Sequence, residues 1–422
     1  MNTPALSVQP GCDDDHDPTS LTCDEARARI AAHVEALTDV EQVPLREALG
    51  RVLARDLNSR VNVPAHPNSA MDGYAIRSED IPRAGIGTLD VIGASFAGRP
   101  WRGTLAPGQA VRIMTGGVVP NGADTVVAQE KVEVEGARLR LDASPVPGQH
   151  VRRAGEDLAA GGRVLSRGRL LEPVDIGLLA SLGETEVAVV RRPRVAFFST
   201  GDELRSLGEV LGPGDVYDSN RHTLHAMLSR LGAEVLDLGV VRDDPAALSA
   251  AFKQASRLAD VVLSSGGVSV GDADYTRGIL TELGQVAFWK IAMKPGRPLA
   301  FGRLGQALFF GLPGNPVSVM VTFYQFVQPA LQSLMGMRPP LRLSLKARTT
   351  RDLQKRPGRL EYQRGVLSQT EDGSLEVRAT GGQGSGILSS MSHANCFIVL
   401  PLETGNVPAG TLVDVEPFNG LV

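Results

Sequence analysis

The sequence is poor in cysteine, and its few cysteines do not form a structural framework. Only three of 422 residues are cysteine, Cys12, Cys23 and Cys396, and no two of them make a C-x-x-C pair. This pattern indicates neither a disulfide scaffold nor a cysteine-based zinc site, and it favours a reducing compartment. We therefore expect a cytoplasmic protein.

The sequence also lacks long apolar runs and an excess of positive charge. No segment offers about 18 uninterrupted apolar residues, and the amino-terminal stretch has no basic region followed by an apolar one, so we expect neither membrane insertion nor export. With 43 Lys and Arg against 47 Asp and Glu, the net charge of −4 gives no global attraction for nucleic acid. A negatively charged small ligand would need local positive sites.

Length and local patterns predict several domains. At about 150 residues per domain, the chain corresponds to roughly three units. The acidic run from Asp13 to Asp17 indicates a solvated segment, so residues 1–18 are predicted to form a disordered tail. A capping box at Thr22 predicts a helix that reaches about Leu37, and a second helix is expected over 45–54.

A helical sequence pattern returns later in the chain, where Pro173 lies near a first helical position and Gly183 is expected to end the helix. We therefore predict a discontinuous helical linker domain over 19–58 and 151–190. Short β-rich runs dominate the segment between its two parts and predict an inserted β-rich domain over 59–150. Residues 337–422 are again β-rich, with glycine and proline between the runs, and they predict a small β-barrel.

The segment 191–336 alternates strands and helices most regularly. Such alternation predicts right-handed crossovers and a largely parallel sheet covered on both faces, which is a doubly wound α/β domain. Its last helix is expected to begin at Asn315 and Pro316 and to reach about Met335. In an open parallel sheet, ligands bind beyond the carboxyl ends of the strands. In this chain, polar loops follow four of the predicted strands at that edge.

One of these loops, SSGGVSVGDADYT, places glycines beside carboxylates. Gly266, Gly267 and Gly271 let backbone N–H groups approach a phosphate. Asp272 and Asp274 would repel that anion unless a divalent cation lay between them, and Mg²⁺ prefers one or two carboxylates together with phosphate oxygens. The loop therefore predicts a site for a metal-bridged phosphate.

Neighbouring loops contain further candidates. Asp243 and Glu203 could add metal ligands from other strand ends, but capping of the next helix is an equally open role for Asp243 or Asp244. Lys290 follows an apolar run in which an unpaired charge is costly, so it and Lys294 are candidates for anion binding.

Four candidates lie outside the predicted sheet. They are Asp72 in SAMDGYA, Thr115 in RIMTGG, Arg364 in YQRG and Ser385 in GGQGSG. Each pattern by itself is also typical of an ordinary turn or an exposed surface.

Six motifs, taken together and in this order, resemble those of the MoeA family, which includes the C-terminal domain of gephyrin. They are SAMDGYA, RIMTGG, STGDEL, GGVSVGDADYT, MKPGRP and GLPGNPVS. The resemblance covers essentially everything after the first 18 residues. It implies a four-domain elongated homodimer with a central molybdopterin-binding α/β domain and an active cleft between protomers. It also implies a Mg²⁺-dependent reaction, in which adenylylated molybdopterin is hydrolysed, AMP leaves and molybdate enters the pterin dithiolene.

The same resemblance implies roles for individual residues. Asp274, Glu203 and Asp243 match active-site carboxylates that would hold the metal. Asp72 and Thr115 match positions that the other subunit contributes to the cleft. The positions that would bind molybdate are Lys290, Lys294, Arg364 and Ser385. The positions that would contact the pterin substrate are Ser265, Gly266, Gly267, Gly271, Asp272, Pro313, Gly314, Asn315 and Pro316. Arg297 departs from the family motif, where lysine is common.

Two other functions stay open. A molybdopterin adenylyltransferase resembles the same central domain, and a non-enzymatic scaffold related to gephyrin would share the whole fold. The flanking domains favour molybdate insertion over adenylylation. For the favoured function the expected partners are adenylylated molybdopterin and molybdate, together with the adenylyltransferase and acceptor molybdoenzymes, and neither nucleic acid nor membrane.

Overall fold

The computed structural model describes residues 20–267, 273–337 and 342–418, and the side chains of 273–275 and 288 lie outside that description. Two compact units can be distinguished. Unit 1 contains the described residues up to Glu41, then Gly50–Val52 and the described residues from Val189 onward, whereas unit 2 contains Gln42–Leu49 and Leu53–Ala188. The four-domain division expected from the sequence stays a prediction. None of the described helices is long and apolar enough to cross a membrane.

The α-helices of the described ranges are α1 Cys23–Ala31, α2 Pro173–Ser181, α3 Ser219–Leu231, α4 Pro245–Leu258, α5 Ala273–Leu283, α6 Pro316–Thr322, α7 Gln328–Leu334 and α8 Ser389–Ser392. Short 3₁₀ turns cover Leu45–Glu47, Ser78–Asp80 and Gln129–Lys131.

The strands of the same ranges are β1 Val40–Pro44, β2 Leu57–Asn58, β3 Asn68–Ser69, β4 Gly73–Ile76, β5 Ile86–Ser95, β6 Gln109–Ile113, β7 Thr125–Ala128, β8 Glu133–Glu135, β9 Arg138–Asp142, β10 Val151–Arg152, β11 Arg163–Leu165, β12 Glu186–Val190, β13 Arg194–Thr200, β14 Leu204–Arg205, β15 Val216–Tyr217, β16 Glu234–Val241, β17 Val261–Ser265, β18 Gly284–Lys290, β19 Met293–Lys294, β20 Pro298–Leu304, β21 Ala307–Leu312, β22 Leu345–Thr349, β23 Leu360–Gln369, β24 Leu375–Ala379, β25 Cys396–Leu400 and β26 Leu412–Pro417.

The main sheet of unit 1 has the strand order β16-β13-β17-β21-β20-β18. Strands β16, β13, β17 and β21 are parallel, and β20 is antiparallel to both of its neighbours. Phe197 and Leu263 pack on one face of the sheet against α1, α3 and the helical segment from α6 to α7. Phe198 packs on the other face against Phe252 of α4. Both faces are covered, so the predicted doubly wound fold is confirmed. The sequence patterns missed β20.

Two predicted helices near the amino terminus differ from the structure. The capping box at Thr22 is present, but α1 ends at Ala31, because the chain then leaves to donate from Leu37 N to Leu334 O at 2.8 Å. The helix expected over 45–54 is wrong. A 3₁₀ turn ends at Glu47, Gly50 adopts a φ of +71° and Val52 O accepts from Val190 N at 2.8 Å, so tertiary pairing replaces helical bonding there.

The helix expected from Pro316 to about Met335 is present, with a π-helical turn over Phe323–Val327 between α6 and α7. Pro329 has no N–H, so it cannot donate to the carbonyl of Gln325 four residues earlier. That carbonyl instead accepts from Arg27 Nε at 3.4 Å and Arg342 Nη2 at 3.2 Å.

The carboxyl-terminal strands of unit 1 form the predicted barrel. Strands β23, β24, β22, β26 and β25 follow one another around it, and the β23–β25 pairing closes it. The two-residue strand β19 adds to β23 in parallel, so Lys294 lies beside Glu361. This pairing joins the segment after β18 to the barrel wall.

Unit 2 contains a six-stranded sheet with the order β7-β4-β6-β5-β9-β8, which confirms the β-rich character predicted for this segment. Its core includes Ile76, Ala110 and Leu139, each fully buried. Helix α2 begins with Pro173 in its first turn, and Gly183 follows its end with a φ of +77°, as predicted.

Candidate active site

The ends of β13 and β17 meet at the glycine turn, which we define as Ser265–Gly267. Gly266 and Gly267 have φ values of +91° and +67°, a region that L-residues with side chains rarely adopt. A Cβ atom on Gly266 would lie well inside contact distance of the Thr200 backbone oxygen, and one on Gly267 would lie 3.0 Å from Thr200 Cγ2. The close approach of these two strand ends therefore requires glycine.

Thr200 also brings a predicted carboxylate to this rim. Its hydroxyl Oγ1 donates to Asp243 Oδ1, so the loop after β16 lies beside the glycine turn. Asp244 caps α4 by accepting from Ala247 N at 2.8 Å. The capping role that the sequence left open thus belongs to Asp244, and Asp243 lies at the rim.

Glu203 lies on the same edge of the sheet. A Cβ atom on Gly201 would come 2.7 Å from Glu203 Oε2, so the carboxylate folds back over the residue that follows β13. Glu203 and Asp243 are both exposed. Their oxygens fit a cation that prefers one or two carboxylates plus phosphate oxygens, such as Mg²⁺.

Other parts of the predicted metal and phosphate loop fall outside the description. Gly271, Asp272 and the side chain of Asp274 are not among the described residues, although Asp274 belongs to α5. Within the described ranges, no three acidic, His or Cys side chains come close enough to hold a metal by themselves.

Asn220 joins the glycine turn to a second turn, the proline turn, which we define as Pro313–Pro316. Its amide Nδ2 donates to Ser265 Oγ at 3.0 Å and to Gly314 O at 2.6 Å. Sequence reasoning missed this residue. Its position at the start of a helix that follows the sheet edge was the available signal.

The helix that follows the proline turn contacts a loop of the barrel. Asn315 occupies the N-cap position of α6, but its side chain makes no capping hydrogen bond. Val317 N, just inside the helix, donates to Ser385 O at 3.0 Å. Ser385, predicted from a glycine-rich stretch, is therefore brought beside the proline turn.

A cavity of about 720 Å³ lies between the barrel and the segment 293–297, which follows β18. Three cations, Lys294, Arg297 and Arg359, line it together with the acidic residues Asp352 and Glu361. Its polar neutral lining consists of Ser318, Ser385, Gln354, Gln363 and Gln383. A concave site with several converging cations and hydroxyls is suited to an oxyanion.

The two predicted lysines have different environments. Lys294 is exposed in the cavity, and its Nζ lies 3.3 Å from Glu361 Oε1. Lys290 is only 5% exposed, ends β18 opposite Pro298 and does not line the cavity. The spacing of four residues in the sequence does not bring both ammonium groups to one wall, because the strand ends between them.

Arg364, a predicted molybdate ligand, is also not at the cavity wall. It is 1% exposed, and its guanidinium donates from Nε to Ser390 Oγ at 3.0 Å and from Nη2 to Gly384 O at 3.1 Å. Burial lowers the pKa of Arg364 to about 10, with the Glu361 carboxylate acting in the opposite direction. Its contacts hold the loop that carries Ser385.

Arg359 lines the cavity, whereas Arg364, the predicted molybdate ligand, does not. Both arginines belong to the stretch RLEYQR, and only the strand orientation tells which one faces the cavity. Sequence reasoning missed Arg359, as it missed Glu361 and Gln383.

The two predicted residues of unit 2 contact each other. Asp72 Oδ1 accepts from the Thr115 backbone N–H and from Thr115 Oγ1, both at 2.7 Å. These bonds, the backbone one first, lower the pKa of Asp72. Asp72 thus stays ionised, with Thr115 fixing its orientation.

Comparison with known proteins assigns this architecture to a class. Residues 21–183 match a family described as "MoeA N-terminal region (domain I and II)", residues 196–333 match "Probable molybdopterin binding domain", and residues 346–418 match "MoeA C-terminal region (domain IV)". These matches follow one another in the family's own order.

Individual relatives agree along nearly the whole length. A Haemophilus influenzae protein named "Molybdopterin molybdenumtransferase" is 47% identical over 407 residues, which cover 95% of this chain and 100% of that protein. A Nostoc protein of the same name is 40% identical, covering 90% and 89%. The crystal structure of a "molybdopterin biosynthesis moeA protein" from Pyrococcus horikoshii OT3 has a TM-score of 0.83 at 30% identity, covering 94% and 100%. The chain belongs to the MoeA family.

Proposed function

We propose that this chain is a molybdopterin molybdenumtransferase. It inserts molybdate into adenylylated molybdopterin with release of AMP, the final step of molybdenum cofactor biosynthesis. The observation that carries this proposal is the cationic cavity lined by Ser318 and Ser385, close to the proline turn, in a chain whose full-length relatives bear that name. A single-domain adenylyltransferase would not need the barrel that supplies most of the lining of this cavity.

The rim of the main sheet would bind the phosphate-bearing part of the substrate. The glycine turn offers backbone N–H groups without side chains, and Asn220 holds the proline turn beside it. Asp243 and Glu203, with Asp274, would hold Mg²⁺ at this rim. When bound, Mg²⁺ supplies Lewis-acid stabilisation of negative charge on phosphate oxygens.

The cavity would bind molybdate. Lys294 and Arg359 offset its two negative charges, and the hydroxyls of Ser318 and Ser385 offer neutral donors. This assignment replaces Lys290 and Arg364 as direct ligands, because neither lines the cavity. Arg364 is a positioning residue that acts through the Gly384–Ser385 loop. Rate would be gained by holding molybdate near the dithiolene rather than by a covalent intermediate.

We further propose that the enzyme works as a homodimer in the cytoplasm. The Asp72–Thr115 pair of one protomer would complete the cleft of its partner, as the family motifs imply. The two bonds from Thr115 keep the Asp72 carboxylate charged and oriented for that role.

The test of this function is AMP release from adenylylated molybdopterin with Mg²⁺, with and without molybdate. Molybdate-dependent AMP release is the expected result, and no release by folded, substrate-binding protein would refute the proposal. The Asp274→Asn variant should release AMP at a reduced rate with an altered Mg²⁺ dependence. A variant indistinguishable from wild type would remove Asp274 from the metal site.

A further inference from the structure

Two carboxylates line the cationic cavity, those of Asp352 and Glu361, and only the second is buried. Glu361 is only 4% exposed, yet it lines the cavity together with Lys294 and Arg359. A carboxylate repels an oxyanion, so its presence in a molybdate site requires an explanation.

The backbone fixes Glu361 beside one cation. Because β19 pairs with β23, Lys294 and Glu361 are register partners, and their charged atoms lie 3.3 Å apart. Gln363 Nε2 donates to the same carboxylate oxygen, Oε1, at 3.1 Å. A buried carboxylate is costly unless it is paired, and Lys294 meets that requirement.

Two other cations interact electrostatically with Glu361, but hydrogen bonds to backbone oxygens hold them in place. Glu361 acts to raise the pKa of Lys355 and of Arg364, in each case against a larger lowering by burial. The Lys355 ammonium donates to Thr404 O at 2.8 Å, and the Arg364 guanidinium donates to Gly384 O. Lys294 differs because its side chain is 48% exposed, so its ammonium has room to turn toward a ligand.

Glu361 also lies where two cavities meet. A second basic depression of about 530 Å³ shares Lys294, Gln354, Arg359 and Glu361 with the first and adds Lys355 and Arg356. An oxyanion on either side would approach Lys294 and meet the same carboxylate.

We propose that Glu361 is an exchangeable counter-ion of Lys294, an inference that rests on the molybdate-binding function proposed above. Glu361 holds the Lys294 ammonium while no oxyanion is bound, and the ammonium turns to the oxyanion when it arrives. The carboxylate then repels the bound dianion and weakens its binding. Molybdate must leave this cavity for the pterin. Binding that is equally tight before and during this transfer does not raise the rate of transfer. Glu361 therefore favours release toward the substrate.

The decisive variant is Glu361→Gln, which keeps the shape and the acceptor for Lys294 and Gln363 but removes the charge. We expect its molybdate Kd, measured by equilibrium dialysis, to fall at least tenfold below that of wild type. In the transfer reaction, the KM for molybdate should fall without a gain in kcat. Glu376→Gln, on barrel strand β24 and outside this cavity, is the matched control and should leave the Kd unchanged.

Unchanged or weaker binding by Glu361→Gln would overturn the counter-ion role, since it would show that the carboxylate only holds Lys294 in place. If that variant does not fold, Lys294→Gln is compared with the double variant Lys294→Gln/Glu361→Gln, which removes both charges. The double variant should bind at least tenfold tighter than the single one, and equal or weaker binding overturns the proposal. Failure of wild type to bind molybdate would refute the proposed function itself, and the counter-ion role with it.

Discussion

Substitution of Arg364 tests whether this residue binds molybdate directly or positions the loop that does, because a direct ligand and a positioning residue respond differently. In Arg364→Met, Gly384 O and Ser390 Oγ lose the two bonds that the guanidinium donates. Hydrogen bonds from a charged group contribute roughly 1.5–3 kcal/mol each, and relief of the buried charge offsets part of that loss. We therefore expect the free energy of unfolding to fall by about 2–4 kcal/mol.

Urea unfolding and molybdate dialysis on the same samples test this expectation. Arg364→Met should lose stability and bind molybdate at least tenfold more weakly, because the loop that carries Ser385 loses its support. Arg364→Lys should behave similarly, since one ammonium cannot reproduce both bonds of the fork.

Arg359→Met is the control, because Arg359 lines the cavity. It should weaken molybdate binding with a change in unfolding free energy of less than about 1 kcal/mol. Arg364 would instead be a direct ligand if Arg364→Met keeps full stability while losing molybdate binding, or if Arg364→Lys keeps full molybdate affinity.

Three further predictions follow from single contacts. Asn220→Asp replaces the amide that donates to both turns with an acceptor, so AMP release should slow at least tenfold with little change in melting temperature; an unchanged rate would exclude this bridge from catalysis. Gly266→Ala should cost at least about 2 kcal/mol in unfolding free energy because its methyl group meets a backbone oxygen, whereas Gly381→Ala, also at positive φ but with open space, should cost less. Burial raises the thiol pKa of Cys23 to about 11 and of Cys396 to about 12, so neither should react with iodoacetamide at pH 8 in the native Cys12→Ser variant. Because these folded pKa values exceed the unfolded one, stability should decline as pH rises above about 9, and a melting temperature that is constant to pH 11 would contradict this.

The parts of the fold that were predictable from sequence are those in which local signals and packing agree. The alternation over 191–336 gave the doubly wound domain, because its apolar strands are buried between helices on both faces. The helix that begins at the proline turn was also foreseen, since Pro316 suits a first turn. By contrast, the helix expected over 45–54 fails because pairing with distant strands overrides local helical spacing.

The cavity was less predictable because it depends on side-chain direction. In β23 the residues from Glu361 to Gly365 are all buried, so the alternation of inward and outward positions that helps in an ordinary strand is lost. Tyr362 on one side of this strand packs with the core of the main sheet, and Leu367 on the other side packs against the barrel core. Sequence alone could therefore not choose between Arg359 and Arg364, nor foresee that β19 would place Glu361 beside Lys294.

In the proposed function, this cavity delivers molybdate to a pterin held at the rim of the main sheet. The most direct measurement incubates the protein with adenylylated molybdopterin, Mg²⁺ and molybdate, and then counts molybdenum in the product that reconstitutes an apo-molybdoenzyme. We predict molybdate-dependent reconstitution with one molybdenum per AMP released, and its loss in Lys294→Gln. Reconstitution at the wild-type level by Lys294→Gln, or none by folded wild-type protein that binds both substrates, would exclude this cavity as the source of the inserted molybdate.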